Sequence, residues 1–193
     1  MARPREFDPD KALQVAIDVF WEKGYFDASV DEVVRRSGVA KYGIYGTFGT
    51  KEKLFEKALR QYGADRGAQF MAALEQHGAA IPELKAFFTK TVDMITSQEV
   101  QRGCLMCNSA MEAGSINTEV RKIVNDFFAG MSNVFRGCLS RGVDKQQLDP
   151  SKNSIEIANY LTNTLRTALM LARAGESRHA IMQHVNVALS VLD

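Results

Sequence analysis

The sequence is poor in most of what a non-helical architecture needs. Proline is scarce, with four in 193 residues, and β-branched residues come only in short runs. Little is left to build strands from, and little interrupts a long helix. No stretch reaches the ~18 consecutive apolar residues of a membrane-spanning helix, so no membrane partner is expected. The opening residues, MARPREFDPDK, lack the apolar core of a signal peptide, and a cytoplasmic protein is the expectation. Three cysteines cannot pair completely within one chain, which favours reduced thiols. The three histidines, His77, His179 and His184, do not stand at metal-ligand spacing, so no metal is expected. There is no paired carboxylate set, no Ser/His/Asp set and no phosphate loop. An enzyme therefore has no residues to rest on, and no cofactor is implied.

An excess of charge of one sign is also missing. Lys and Arg number 24 against 23 Asp and Glu, a net charge of +1. Through Arg60 the count is 11 against 10. A general polyanion binder is thereby excluded, and any DNA binding must rest on where the charges sit.

What is present is helical periodicity. The chain is 46% hydrophobic, enough for a proper core. Asp8 and Pro9 open a first helix over 9–23, with Ala12, Leu13, Ala16, Ile17 and Phe20 on one side. Ser29 is a helix cap, and Glu32 three residues later completes a capping box. Val30, Val33 and Val34 give that short helix its apolar side, and Ser37-Gly38 stops it. A further short helix covers 40–47, Gly49-Thr50 breaks it, and Thr50 caps a long helix over 51–76. Five more helices are expected, over 82–97, 104–113, 118–141, 151–174 and 177–192. The whole is an all-α chain of about nine helices.

Two short helices across a glycine-containing turn form a helix-turn-helix, whose second helix enters the DNA major groove. Phe20, Gly24-Tyr25, Ala28-Ser29, Gly38-Val39, Ile44-Tyr45, Phe48 and Thr50-Lys51-Glu52-Lys53-Leu54-Phe55 follow in order and spacing. This pattern resembles the DNA-binding domain of the TetR family of transcription regulators. The chain departs from it at Val34, where alanine is usual, and at Tyr42, where a small residue or proline is usual.

The resemblance implies a DNA-binding domain over 1–50 and a ligand-binding and dimerisation domain over 51–193, with the helix from 51 bridging them. It implies phosphate contacts from Tyr45 and Lys51. Lys41, Tyr42 and Gly43 are the candidates for base edges, since lysine donates to guanine and a tyrosine ring meets a thymine methyl. Arg3, Arg5, Ser29 and Thr47 complete the set. In the family the last two helices form the dimer interface. The matching stripes here are Ile155, Ala158, Thr162, Leu165 and Leu169, then Ile181, Val185, Ala188 and Leu192.

The family encloses its ligand among the middle helices. The candidates are Phe70, Met71, Phe88, Met94, Cys104, Met106, Asn108, Met111, Phe127, Phe128 and Met131, with Asn125 and Glu112 as polar contacts. Read alone, the same residues are also a packed core. Cys104 and Cys107 form Cys-x-x-Cys at a helix start, where the helix end and Arg102 favour the thiolate. Their apolar neighbours favour burial, which raises a thiol pKa. Burial is expected to prevail, leaving a switch worked by a non-covalent ligand. The expected function is a homodimeric repressor released from a palindromic operator by a small molecule. The alternative is a helical ligand-binding or redox- and electrophile-sensing protein without sequence-specific DNA binding.

Overall fold

The computed structural model describes residues 8–97 and 102–193. Arg3 and Arg5 lie outside them. All regular elements of the described residues are helical: α1 (Pro9–Asp27), α2 (Val30–Ser37), α3 (Lys41–Phe48), α4 (Lys51–Tyr62), α5 (Ala68–Met71), α6 (Ile81–Ile95), α7 (Leu105–Ile116), α8 (Thr118–Asp144), α9 (Ser154–Arg173) and α10 (Arg178–Leu189). A π-turn, Gly63–Gly67, fuses α4 to α5, and a 3-10 turn, Ser190–Leu192, follows α10. Counted as continuous rods these make nine.

Short-range chemistry sets most of the boundaries. The Asp8 carboxylate accepts the N–H groups of Asp10 and Lys11, and Thr50 Oγ1 accepts that of Lys53. Asn117, Asn153 and Ser177 cap α8, α9 and α10 in the same way. Each such cap is worth about 1 kcal/mol. Gly38 takes the left-handed conformation, φ 69°, that ends α2. Ser29 does accept the Glu32 N–H. The expected capping box is only half formed, because the Glu32 carboxylate is claimed by Lys23 and Arg36 instead.

The helix expected over 51–76 ends sooner. Gly63 and Gly67 press against α7 and α8: a Cβ on Gly67 would lie 2.9 Å from the Phe127 ring of α8, and one on Gly63 3.0 Å from Met106 of α7. The backbone widens there into the π-turn, and the residues after Met71 form turns. The first helix resumes past its expected end, with Gly24 as a non-helical kink. The segment expected over 104–113 runs on to Ile116, and Cys104 caps it rather than belonging to it.

One continuous apolar core ties α1–α4 to the later helices. Phe20, Tyr25 and Phe55 cluster at its N-terminal end, with ring centroids 4.8–6.4 Å apart. Phe87, Phe88 and Phe135 form a second cluster. Burying each such side chain contributes about 1.5–3 kcal/mol.

The packing of α9 and α10 corrects the expected dimer face. Ala158, Thr162, Leu165 and Leu169 are buried, as are Ile181, Val185, Ala188 and Leu192. They turn into the protomer's own core, against α8 and α6. Only Ile155 of that set is exposed. An apolar stripe reads identically whether it meets its own chain or another, and here the protomer core has claimed it.

Candidate DNA-binding head and the joint behind it

The head is built on buried anchors that push polar residues outward. In α3, Ile44 and Phe48 are buried four residues apart. The intervening positions must then face away from the core. Lys41, Tyr42, Tyr45 and Thr47 are all exposed, Tyr42 to 76%. Gly43 is half-buried and Ser29 exposed at the start of α2. They give the outer side of α3 and the start of α2 a polar and aromatic character.

Two of its cations are held in place. Lys41 Nζ pairs with Asp31 at 2.7 Å, and that carboxylate raises the ammonium pKa. Lys51 Nζ lies 4.5 Å from the Tyr25 ring centroid and donates to the Phe26 carbonyl at 3.3 Å. Burial, and then the Glu52 carboxylate, push the Tyr25 hydroxyl up to about 12. Tyr25 therefore stays neutral and serves as a platform for Lys51.

Behind the head, α7 grips α1 at two places, a feature absent from the sequence reading. At its start, Trp21 Nε1 donates to the Gly103 carbonyl at 3.1 Å. Arg102 pairs with both Asp18 and Glu22, each at 3.1 Å. Glu22 also holds Arg36 of α2 at 2.8 Å. Further along α7, Glu112 Oε2 accepts the Tyr25 N–H at 2.8 Å. Glu112 was expected among the ligand contacts; it is committed to the head instead. On the other flank, buried Glu56 of α4 joins Lys53 to the α8 cap Asn117.

The expected ligand-lining residues divide. Met71, Phe88, Met106, Phe128 and Met131 are buried, and Phe70 and Phe127 partly so. Met94 and Met111 are exposed, to 44% and 75%, and do not face the interior. The Asn108 side chain donates to the Arg102 carbonyl and helps shape the turn before α7. A cleft of about 400 Å³ opens between α1 and the π-turn, lined by Gln14, Ile17, Trp21, Tyr62, Asp65, Arg66 and Gln69. None of these was on the expected list.

Cys104 adjoins that cleft through Tyr62. The Tyr62 hydroxyl donates to Cys104 Sγ at 3.7 Å and accepts the Leu105 N–H at 3.3 Å. Burial raises the Tyr62 pKa. The neighbouring Cys107 thiol and the Tyr62 hydroxyl favour the Cys104 thiolate, against the effect of burial. Cys104 is itself buried, so burial and these neighbours pull its thiol in opposite directions. At Cys138 burial does prevail.

A helix-turn-helix head carried on a larger helical body defines a DNA-binding transcription regulator. Residues 12–58 match the family model for bacterial regulatory proteins of the tetR family, and residues 80–187 match that for the tetracyclin repressor-like C-terminal domain. The chain belongs to the TetR family of transcription regulators.

The chain is 29% identical to the HTH-type transcriptional regulator YezE of Bacillus subtilis, over the full length of both. It is 24% identical to the HTH-type transcriptional repressor ComR of Escherichia coli, covering 97% of this chain and 90% of that one. Among solved structures, a cysteine mutant of the TetR-family regulator CifR in complex with a 26-bp operator superposes with a TM-score of 0.82. That pair shares 30% identity, with 97% and 98% of the two chains covered. No helix among the described residues is long and apolar enough to cross a membrane.

Proposed function

We propose that this protein is a homodimeric repressor that binds a palindromic operator and leaves it when a small molecule occupies its helical body. The observation that carries the reading is the outward face of α3, where Lys41, Tyr42, Tyr45 and Thr47 stand exposed over buried Ile44 and Phe48. The operator complex formed by CifR supports it. Residues 1–50 act as the DNA head and 51–193 as the ligand-binding and dimerisation body. Tyr45 and Lys51 position the head on phosphates; Lys41, Tyr42 and Gly43 meet base edges. The protein works in the cytoplasm, as a regulator and not an enzyme.

The partner subunit meets the outer faces of α9 and α10. Ile155, Tyr160, Met170 and Val187 are exposed there to between 45% and 72%, although each is large and apolar. A two-fold dimer paired through those faces would present two α3 helices to one operator, as a palindrome requires. Effector binding shifts the population toward a dimer whose heads are wrongly spaced.

The test is a mobility-shift titration on the DNA flanking the protein's own gene, followed by footprinting. The expected footprint is two-fold symmetric, with half-sites about one helical turn apart, ~34–36 Å, or a multiple of it. A single asymmetric half-site overturns the reading.

A further inference from the structure

We propose that Cys104 and Cys107 form a reversible intramolecular disulfide when a small hydroperoxide reaches them, and that this loosens the hold of α7 on the DNA head. The inference rests on the repressor reading above and adds a redox input to it.

The geometry separates the two sulfurs into attacker and resolver. Cys104 is the N-cap of α7, in extended conformation at φ −104° and ψ 126°, and Cys107 lies three residues on, within the first turn. Helical spacing puts such a pair at the Cα separation a disulfide needs, about 4.4–6.8 Å. Cys104 accepts from the Tyr62 hydroxyl at 3.7 Å and stands at the start of α7, where the helix end favours negative charge. Both favour the thiolate, the nucleophilic form. It is also the most accessible of the three cysteines, 9% exposed against 4% for Cys107 and 0% for Cys138. The route in is the cleft of about 400 Å³ on which Tyr62 opens.

The chemistry balances with hydrogen peroxide as oxidant. The Cys104 thiolate attacks one peroxide oxygen, the O–O bond breaks, and Cys104 sulfenic acid and hydroxide result. The Cys107 sulfur then attacks the Cys104 sulfur. The S–S bond forms, the S–OH bond breaks, and the Cys107 proton leaves with that hydroxide as water. In total, two thiols lose two electrons and two protons, and one peroxide becomes two waters.

The consequence follows from where the pair sits. Immediately before it, Arg102 and Gly103 hold Asp18, Glu22 and Trp21 of α1. Closing the disulfide weakens the Cys104 sulfur as the acceptor of Tyr62, and it draws the first turn of α7 onto its cap. The Gly103 carbonyl moves with it, and α1 loses the fixed point that sets the angle of the head.

The experiment treats the full-length Cys138→Ser protein with hydrogen peroxide. Intact mass and anisotropy on the DNA flanking its gene are then read before oxidation, after it, and after dithiothreitol. The expected result is a loss of 2 Da, at least tenfold weaker DNA binding, and recovery of both on reduction. Cys107→Ser should instead stop at a Cys104 sulfenic acid trapped by dimedone. Cys104→Ser should keep both mass and affinity. An unchanged mass, a disulfide-linked dimer, or a disulfide that leaves affinity within twofold each overturns the proposal. If the reduced protein binds no flanking DNA, the repressor reading fails on its own and no head is left to release. The mass change then still reports whether the disulfide forms.

Discussion

Glu112 of α7 and Gly24 of α1 occupy each other's space. A Cβ on Gly24 would stand 2.6 Å from Glu112 Oε1, while the other carboxylate oxygen takes the Tyr25 N–H at 2.8 Å. The kink at Gly24, φ 77°, thus serves two ends. It turns the chain from α1 into α2, and it brings a backbone N–H of the head within reach of the body.

Gly24→Ala should therefore destabilise the protein by about 2–4 kcal/mol, since it adds a positive-φ penalty to a steric conflict. Glu112→Ala should cost about 1.5–3 kcal/mol, the loss of a charge-assisted hydrogen bond. Glu112→Gln keeps an acceptor and should cost less than half of that. Urea midpoints of the three variants at one pH decide the order. If Glu112→Ala matches the parent, the clamp contributes nothing.

Positioning and reading should separate on DNA. Lys51→Ala should weaken binding about equally on all sequences and lower the salt slope by about one unit. Tyr42→Ala should change base preference at one position per half-site. Tyr42 is 76% exposed, so its removal should leave stability within about 0.5 kcal/mol. Anisotropy titrations across salt and across single-base operator variants measure both. Unchanged affinity and preference in Tyr42→Ala would remove it from the reading set.

The outward faces of α9 and α10 predict a contrast between neighbours. Met170→Glu, at a 47% exposed position, should give folded monomers that no longer bind the operator. Leu169→Glu, at an 8% exposed position, should instead unfold the protomer, because an unpaired charge in the core costs several kcal/mol. Light scattering and circular dichroism on the pair distinguish the outcomes. A dimeric Met170→Glu protein moves the interface elsewhere.

Acid should weaken the head through Glu32. Lys23, and then Arg36, hold its carboxyl below the ordinary value. A depressed folded-state pKa gives stability that is present above the unfolded value, about 4.3, and lost as pH falls through the folded one. Urea midpoints should stay flat from pH 7 to about 5 and drop below about 4. Glu32→Gln should make that drop shallower. An identical acid profile in the variant would show the ion pairs to be without effect.

The head was legible in the sequence because its signals are local. Asp8, Ser29 and Thr50 cap within three residues of themselves, and Gly38 needs only its own φ. The residues joining head to body were not legible. Trp21 meets Gly103 across 82 positions and Tyr25 meets Glu112 across 87. No periodicity or spacing rule spans that distance. Glu112 looked like a polar group for a ligand because its partner is a backbone N–H, which has no signature of its own.

The sequence by itself determined the helices, their order and which residues of α3 face outward, since hydrophobic period and capping chemistry act within a few residues. Tertiary structure alone decided which way each amphipathic face turns. The stripes of α9 and α10 went inward because α8 and α6 were there to cover them, leaving Tyr160, Met170 and Val187 outside. It also decided the surroundings of Cys104. A helix start and an apolar setting pull a thiol in opposite directions. Folding adds what neither rule contains, the Tyr62 hydroxyl brought from 42 residues away onto the Cys104 sulfur.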